Sequence, residues 1–216
     1  MADPSKQTQS AADPNTLAGA PELLDDRYKV AGWLGDGASS EVLHAHDRAL
    51  GHDVVLKVLR PRFAAPKQDE YSERVRRFRR RASIGARMDH PGIPTVFDAG
   101  EIWGGMEFVS MAVAPGVAVP ALAALYGDTM PEGVVLSIGD QVASALAHVD
   151  GLGFVHRDVS PRNVLVSTDK RARLIDFGDA IEIGATEPTR VGPMEFRSAA
   201  ELRDEPADLD AIGVAP

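Results

Sequence analysis

No cysteine occurs among the 216 residues, which removes disulfides, thiolate metal sites and cysteine nucleophiles and leaves the fold independent of an oxidising compartment. Long apolar runs are missing as well. Nothing approaches the roughly 18 residues that suggest a membrane-spanning helix, and the opening MADPSKQTQSAADPNTLAGAPE lacks the apolar centre of a signal peptide. These absences set the expectation of a cytoplasmic protein without a membrane partner. Positive charge is scarce: 23 Lys and Arg stand against 32 Asp and Glu, a net charge of −9. That balance argues against a general nucleic-acid binder, so no nucleic-acid partner is expected.

What is present suffices for a folded core, since 44% of the residues are hydrophobic, enough for one domain or two small lobes. Residues 1–24 are rich in Ala, Pro, Asp, Ser and Gln and read as a disordered tail, unable to offset the entropy of ordering. From Tyr28 the texture changes to short runs, YKVAGWLG, SSEVLHAHD and HDVVLKVLR, separated by Gly-containing turns as in an antiparallel meander. In DEYSERVRRFRRRASIGARM the residues Tyr71, Val75, Phe78, Ala82 and Ala86 recur at steps of three and four, which predicts an amphipathic helix.

GIPTVFDAGEIWGGMEFVSMAV returns to strand composition, and APGVAVPALAAL follows as a connector. TMPEGVVLSIGDQVASALAHVDGLG opens with Thr129 and Glu132 at capping-box spacing and Pro131 in the first turn. Val134, Ile138, Val142 and Leu146 fall on one face of this long, half-buried helix. Two further strands, VLVS and ARLIDF, come next. The order of elements indicates an α+β fold with two sub-cores.

Three groups of residues point to chemistry. LGDGASSEV, residues 34–42, places Gly35 and Gly37 in a turn between strands, where missing Cβ atoms let backbone N–H groups approach phosphate oxygens; a plain turn is the bland alternative. Lys57 lies in the apolar strand VVLKVL, either for a reason of function or as a side chain reaching out from an edge. HRDVSPRNVLVSTDKRARLIDFGDA sets Asp158, Asn163 and Asp176 in an otherwise apolar, strand-like stretch. Phosphoryl transfer needs an oriented hydroxyl and metal-neutralised phosphates. Asp158 suits the hydroxyl proton, and Asn163 with Asp176 supplies hard oxygen ligands for Mg2+.

Together these segments resemble the eukaryotic-type Ser/Thr protein kinases in their bacterial branch. HRDVSPRN is similar to the catalytic loop, DFG at 176–178 to the magnesium-binding segment, LGDGASSEV to the glycine-rich loop and VVLK to the third-strand lysine motif. MDHPGIPTVFDAG and FVSMAVAPG resemble the stretches after the first helix and before the hinge, and the likeness runs from about Tyr28 to the C-terminus.

The resemblance implies a bilobal kinase-like α+β fold, with an antiparallel β-sheet N-lobe and hinge at 25–114 and a mainly helical, truncated C-lobe at 115–216. It implies ATP and Mg2+ as cofactors and a protein substrate or signalling partner. Lys57 would hold the α- and β-phosphates, Asp158 would be the catalytic base, and Asn163 and Asp176 would coordinate Mg2+. Leu34 and Val42 would sandwich the purine beside Gly35 and Gly37. Met111 would be the gatekeeper, with backbone groups of Ala112 and Ala114 contacting adenine. His156 and Arg157 would be structural supports.

Several positions depart from the family. Its helix glutamate, partner of the strand lysine, falls on Arg81; Glu73, two turns away, is a poor substitute. The lysine two places after Asp158 is Ser160, the activation-segment threonine is Pro193, and Ala-Pro-Glu has become Ser-Ala-Ala at 198–200, leaving Glu201 one place late. PADLDAIGVAP resembles the start of a buried helix, with Asp208 and Gly213 in register, and Pro216 follows soon after. The incomplete lobe leads to the expectation of a homodimer contact or a partner on the helix face it leaves uncovered. RVRRFRRR is read as a solvated helix face, His44 and His46 as strand residues without a third metal ligand, and Trp33 and Trp103 as packing residues.

Three functions follow: an ATP-dependent Ser/Thr protein kinase-like phosphotransferase; a pseudokinase signalling by conformation, favoured by Arg81, Ser160 and Pro193; and, last, an aminoglycoside-like small-molecule phosphotransferase, suggested by LIDFGDA.

Overall fold

In the computed structural model the described residues are 23–36, 40–60, 68–102, 104–127 and 129–185. Expectations for residues 1–22, Gly37, Trp103, Pro193, the 198–200 triplet, Glu201, Asp208 and Gly213 lie outside them. The described part divides into two compact units, one made of residues up to Val75 with Gly100–Phe108, the other of Arg76–Ala99 with residues from Val109 onward.

The first unit is built on antiparallel strands. Strand β1 (Leu23–Leu24) pairs with β2 (Tyr28–Asp36), which pairs with β3 (Ser40–Asp47), and β3 pairs with β4 (His52–Leu59). With β5 (Val96–Ile102) and β6 (Met106–Ala112) they form a six-stranded sheet in the order β1-β2-β3-β4-β6-β5. Leu23 and Leu24, the end of the segment read as a tail, are thus a strand, because Leu24 buries completely in the core of this unit. Alternation puts Leu43, Ala45, Val54, Leu56 and Val58 on the buried face, the leucines and valines each worth about 1.5–3 kcal/mol as apolar area leaves water. Tyr28 meets Phe108 edge-on at 5.4 Å. Trp33, expected to pack, is 62% exposed and does not.

A charged clamp closes the β3–β4 turn. Arg27 Nε and Nη2 donate to the buried Asp47 carboxylate at 3.1 and 2.8 Å, and the amides of Ala49 and Leu50 donate to its Oδ1. Burial works against the Asp47 charge, but the Arg27 and amide hydrogen bonds outweigh it and hold the carboxyl below its usual range.

Helix α1 (Gln68–Gly85) carries the arginine run. Its buried residues are Phe78, Ala82, Ile84 and Gly85, while Ala86 lies past its end and is exposed. The expected stripe therefore stops a turn early.

The second unit packs α3 (Glu132–Gly151) against short strands. The strands are β7 (Val117–Ala118), β8 (Phe154–Val155), β9 (Val164–Val166), β10 (Ala172–Leu174) and β11 (Ile181–Glu182), with α2 (Val119–Leu125) beside β9. Strand β9 sits between β10 and β7, and β11 pairs with β8. Leu146, Val149, Phe154, Val164 and Leu174 share one core, joined by Ile138 and Val142 from the apolar face read in the sequence. Pro131, not Thr129, is the N-cap, with no side-chain cap bond; its carbonyl takes the amides of Val134 and Val135, so the capping box is not formed.

Candidate active site

The register of the first unit lines up residues from three strands. Gly35 of β2 stands opposite Val42 of β3, which stands opposite Lys57 of β4. A period of two sets Val42, Val55 and Lys57 on the half-buried face, away from the buried row of Leu56 and Val58. This is why a lysine is tolerated within VVLKVL. Leu34, beside Gly35, is 55% exposed. Arg60 Nη2 bonds Asp36 Oδ1 at 2.9 Å, tying the end of β2 to the residue after β4.

His44 and His46 flank one carboxylate: Asp53 Oδ1 lies 2.8 Å from His46 Nδ1, and Oδ2 lies 3.3 Å from His44 Nε2. The His46 hydrogen bond holds the Asp53 pKa below its usual range, against partial desolvation. Among the described residues no group of three or more His, Asp or Glu is arranged to hold a metal ion.

In the second unit the chain leaves β8, turns at Arg157 with φ 66° and passes through a 3-10 turn at Pro161–Asn163 into β9. The turn holds itself: Asn163 N–H donates to Ser160 O at 2.9 Å, and Ile175 N–H donates to Asn163 O at 2.8 Å. Asn163 Nδ2 donates to Asp158 O at 2.8 Å and to Asp158 Oδ2 at 2.7 Å. Both donors of the amide therefore face Asp158, and its Oδ1 is left as a hard acceptor.

Asp176 follows β10 in left-handed conformation, φ 64° and ψ 65°, capping a second 3-10 turn at Phe177–Asp179; its Oδ1 accepts Gly178 N–H at 3.2 Å. Its side chain is exposed. Asp158 and Asn163 are thus in direct contact, and Ile175 next to Asp176 is bonded to the Asn163 carbonyl. An amide oxygen with an exposed carboxylate is the donor chemistry that fits Mg2+.

His156 underlies this loop. It is fully buried, accepts Asp158 N–H at Nδ1 at 3.2 Å, faces Ile175 O with Nε2 at 3.3 Å and meets the Phe177 ring edge-on at 4.5 Å. These partners require the neutral ring with its proton on Nε2. Burial pushes the His156 pKa down to about 4, against the pull of the Asp176 charge and the Ile175 bond.

Between the unfolded value of 6.5 and about 4 the unfolded chain binds a proton that the folded chain refuses. This contribution to stability is complete above pH 6.5 and fades as pH falls through that window. The protein should be about 2 kcal/mol less stable at pH 5 than at pH 7 from this group. Urea unfolding of wild type and His156→Gln checks it: the variant should show a flatter pH dependence, and parallel curves would refute the assignment. His90, whose pKa is lowered by burial and by His148, acts in the same direction in both proteins.

Met111 and Ala112 end β6, and Ala112 N–H donates to Thr95 O at 2.8 Å. Ala114 follows in the segment leading to β7. Gly116, at φ +128°, lies so close to β9 that a Cβ would fall 2.3 Å from Val166 O.

One partner was not legible in the sequence. Arg81 Nη2 bonds Asp179 Oδ1 at 2.8 Å across 98 residues, each side chain about one-third exposed. The signal available was a charge pattern: a cation where the resemblance implies an acid, and an acid just after the DFG segment.

The protein kinase domain family matches residues 28–210. Serine/threonine-protein kinase PrkC of Bacillus subtilis is 29% identical over 199 residues, covering 88% of this chain and 30% of that protein. Serine/threonine-protein kinase PknB of Mycobacterium tuberculosis is 32% identical over 197 residues, 87% of this chain and 30% of that protein. Serine/threonine-protein kinase pkn3 of Myxococcus xanthus is 31% identical over 217 residues, 93% of this chain and 39% of that protein. The chain thus spans less than two-fifths of the length of these relatives. A match over most of its length, on a β-sheet unit with a glycine-lysine register and a helical unit with a clamped Asp-Asn pair, means that this chain belongs to the protein kinase domain family, with a kinase-like α+β fold.

Proposed function

We propose that the chain transfers the γ-phosphate of ATP to a Ser/Thr hydroxyl of a protein. The observation that carries this reading is the Asn163 amide, turned by two hydrogen bonds so that its nitrogen serves Asp158 and its oxygen is available to a cation. Asp158, oriented by Asn163 and by the His156-bound backbone, accepts the hydroxyl proton. Asn163 Oδ1 and Asp176 hold Mg2+, which supplies neutralisation of phosphate charge when bound. Lys57 holds the α- and β-phosphates, and Gly35 and Gly37 let backbone amides approach them. Leu34 and Val42 cover the purine, with Met111 as gatekeeper. The Ala112 amide is engaged by Thr95, so its carbonyl is the group for adenine, together with the Ala114 backbone.

Relatives named as Ser/Thr kinases support a protein substrate over a small molecule. Val135 and Leu136, exposed on α3, support a homodimer or partner contact on that face. No helix among the described residues is long and apolar enough to cross a membrane.

Thermal unfolding with ATP, with and without Mg2+, tests the reading. Saturation at a hundredfold excess over Kd should stabilise the protein by about 2.7 kcal/mol. Asp176→Ala should lose the Mg2+-dependent part. An absence of any shift in wild type at millimolar Mg2+ and ATP would reject the proposal, and a shift without phosphate incorporation would leave a pseudokinase.

A further inference from the structure

Asp176 occupies a left-handed conformation that a side chain rarely adopts, so its surroundings must hold it there. Three anchors surround its turn. Phe177 packs on the buried His156 ring, Ala180 is fully buried and donates to Phe177 O, and Asp179 is bonded to Arg81 of α1. The first two fix the turn to its own core. The third joins it to a helix distant in sequence.

We propose that Arg81 is a positioning residue: through Asp179 it couples α1 to the turn that presents Asp176, so that helix placement and metal-nucleotide binding favour one another. This rests on the reading of Asp176 as a Mg2+ ligand. In the family pattern the acidic residue at this helix position reaches a lysine; here a guanidinium reaches the acid that ends the metal-binding turn, and the charge pair is inverted. An ion pair one-third exposed contributes little to global stability. Its effect lies in geometry, since it ties an 18-residue helix to a three-residue turn. Coupling of this kind is reciprocal: a ligand that favours the set turn favours the docked helix equally.

The test uses the full chain with Arg81→Asp, Asp179→Arg and the double exchange. Amide exchange at residues 177–180 is measured in the metal-free protein, and Mn2+·ADP affinity is measured by electron paramagnetic resonance. Each single variant should speed exchange and weaken Mn2+·ADP by about fivefold, with metal-free ADP affinity unchanged, and the exchanged pair should recover most of both. Additive losses in the double variant, or unchanged exchange in the folded single variants, would overturn the proposed tether. Should wild type bind no Mn2+·ADP while exchange still rises in the single variants and recovers in the exchanged pair, the tether stands and the metal reading of Asp176 fails.

Discussion

Asp158→Asn should lower phosphoryl transfer to a protein hydroxyl by about 10²–10⁴-fold, the range for loss of a positioned general base. The substitution removes only basicity. Asparagine has nearly the same volume, and its Oδ1 still accepts from Asn163 Nδ2, so the bond that orients the Asn163 amide survives in kind. Mg2+·ATP stabilisation should persist while phosphate incorporation, followed by mass spectrometry on the chain itself and on a Ser/Thr peptide, falls. Equal incorporation by wild type and variant would exclude catalysis at this site. A joint loss of binding and incorporation would instead indicate that Asp158 matters through the Asn163 clamp.

Gly116→Ala should destabilise the fold by about 3–5 kcal/mol, among the largest effects open to a single methyl group. Two costs add. The φ of +128° is closed to L side chains, and the new Cβ would sit 2.3 Å from Val166 O, 2.5 Å from Val166 C and 2.7 Å from Ser167 N. All three atoms are backbone in or beside β9, and none can rotate away. Relief requires β7 to lift from β9, breaking the Val117–Val166 pairing. Since β9 begins directly after Asn163, and Gly116 directly follows Ala114 and Pro115, the same displacement should weaken nucleotide binding. Urea unfolding with nucleotide titration checks both. Gly105→Ala, also at positive φ but with nothing within 4 Å of its Cβ, is the control and should cost about 1 kcal/mol; equal losses at the two positions would refute the steric argument.

Much of the fold was legible because its causes are local. Alternation in SSEVLHAHD and HDVVLKVLR dictates which side chains turn inward, and β3 obeys it from Glu41 to Asp47 and β4 from Asp53 to Val58. The spacing of Ile138, Val142 and Leu146 places one stripe of α3 on the core, while Val134, read as part of the same face, is not a member of that cluster. The failures have causes too. A strand of two leucines, Leu23 and Leu24, is too short for any period and exists because Tyr28 and Lys29 offer a pairing edge. Trp33 reads as a packing residue from its size, yet β2 carries register shifts between Val30 and Gly32 and between Trp33 and Gly35, and its ring stays in solvent. The capping box at Thr129 does not form because the helix begins two residues later, with Pro131 as its N-cap and the Pro131 carbonyl accepting the amides of Val134 and Val135.

By itself the sequence determined the candidate chemistry: which side chains are able to act as a base or as hard oxygen ligands, where glycines interrupt the strands, and their order along the chain. Those are properties of side-chain type and of spacing within one loop or strand, where a few bonds set the geometry. Tertiary structure alone decided what Arg81 meets, why His156 stays neutral, and why position 116 admits no side chain. Each of these depends on groups brought close only when distant segments pack, at separations up to 98 residues; charge pairing, burial and steric exclusion act through space and leave no periodic trace in the chain.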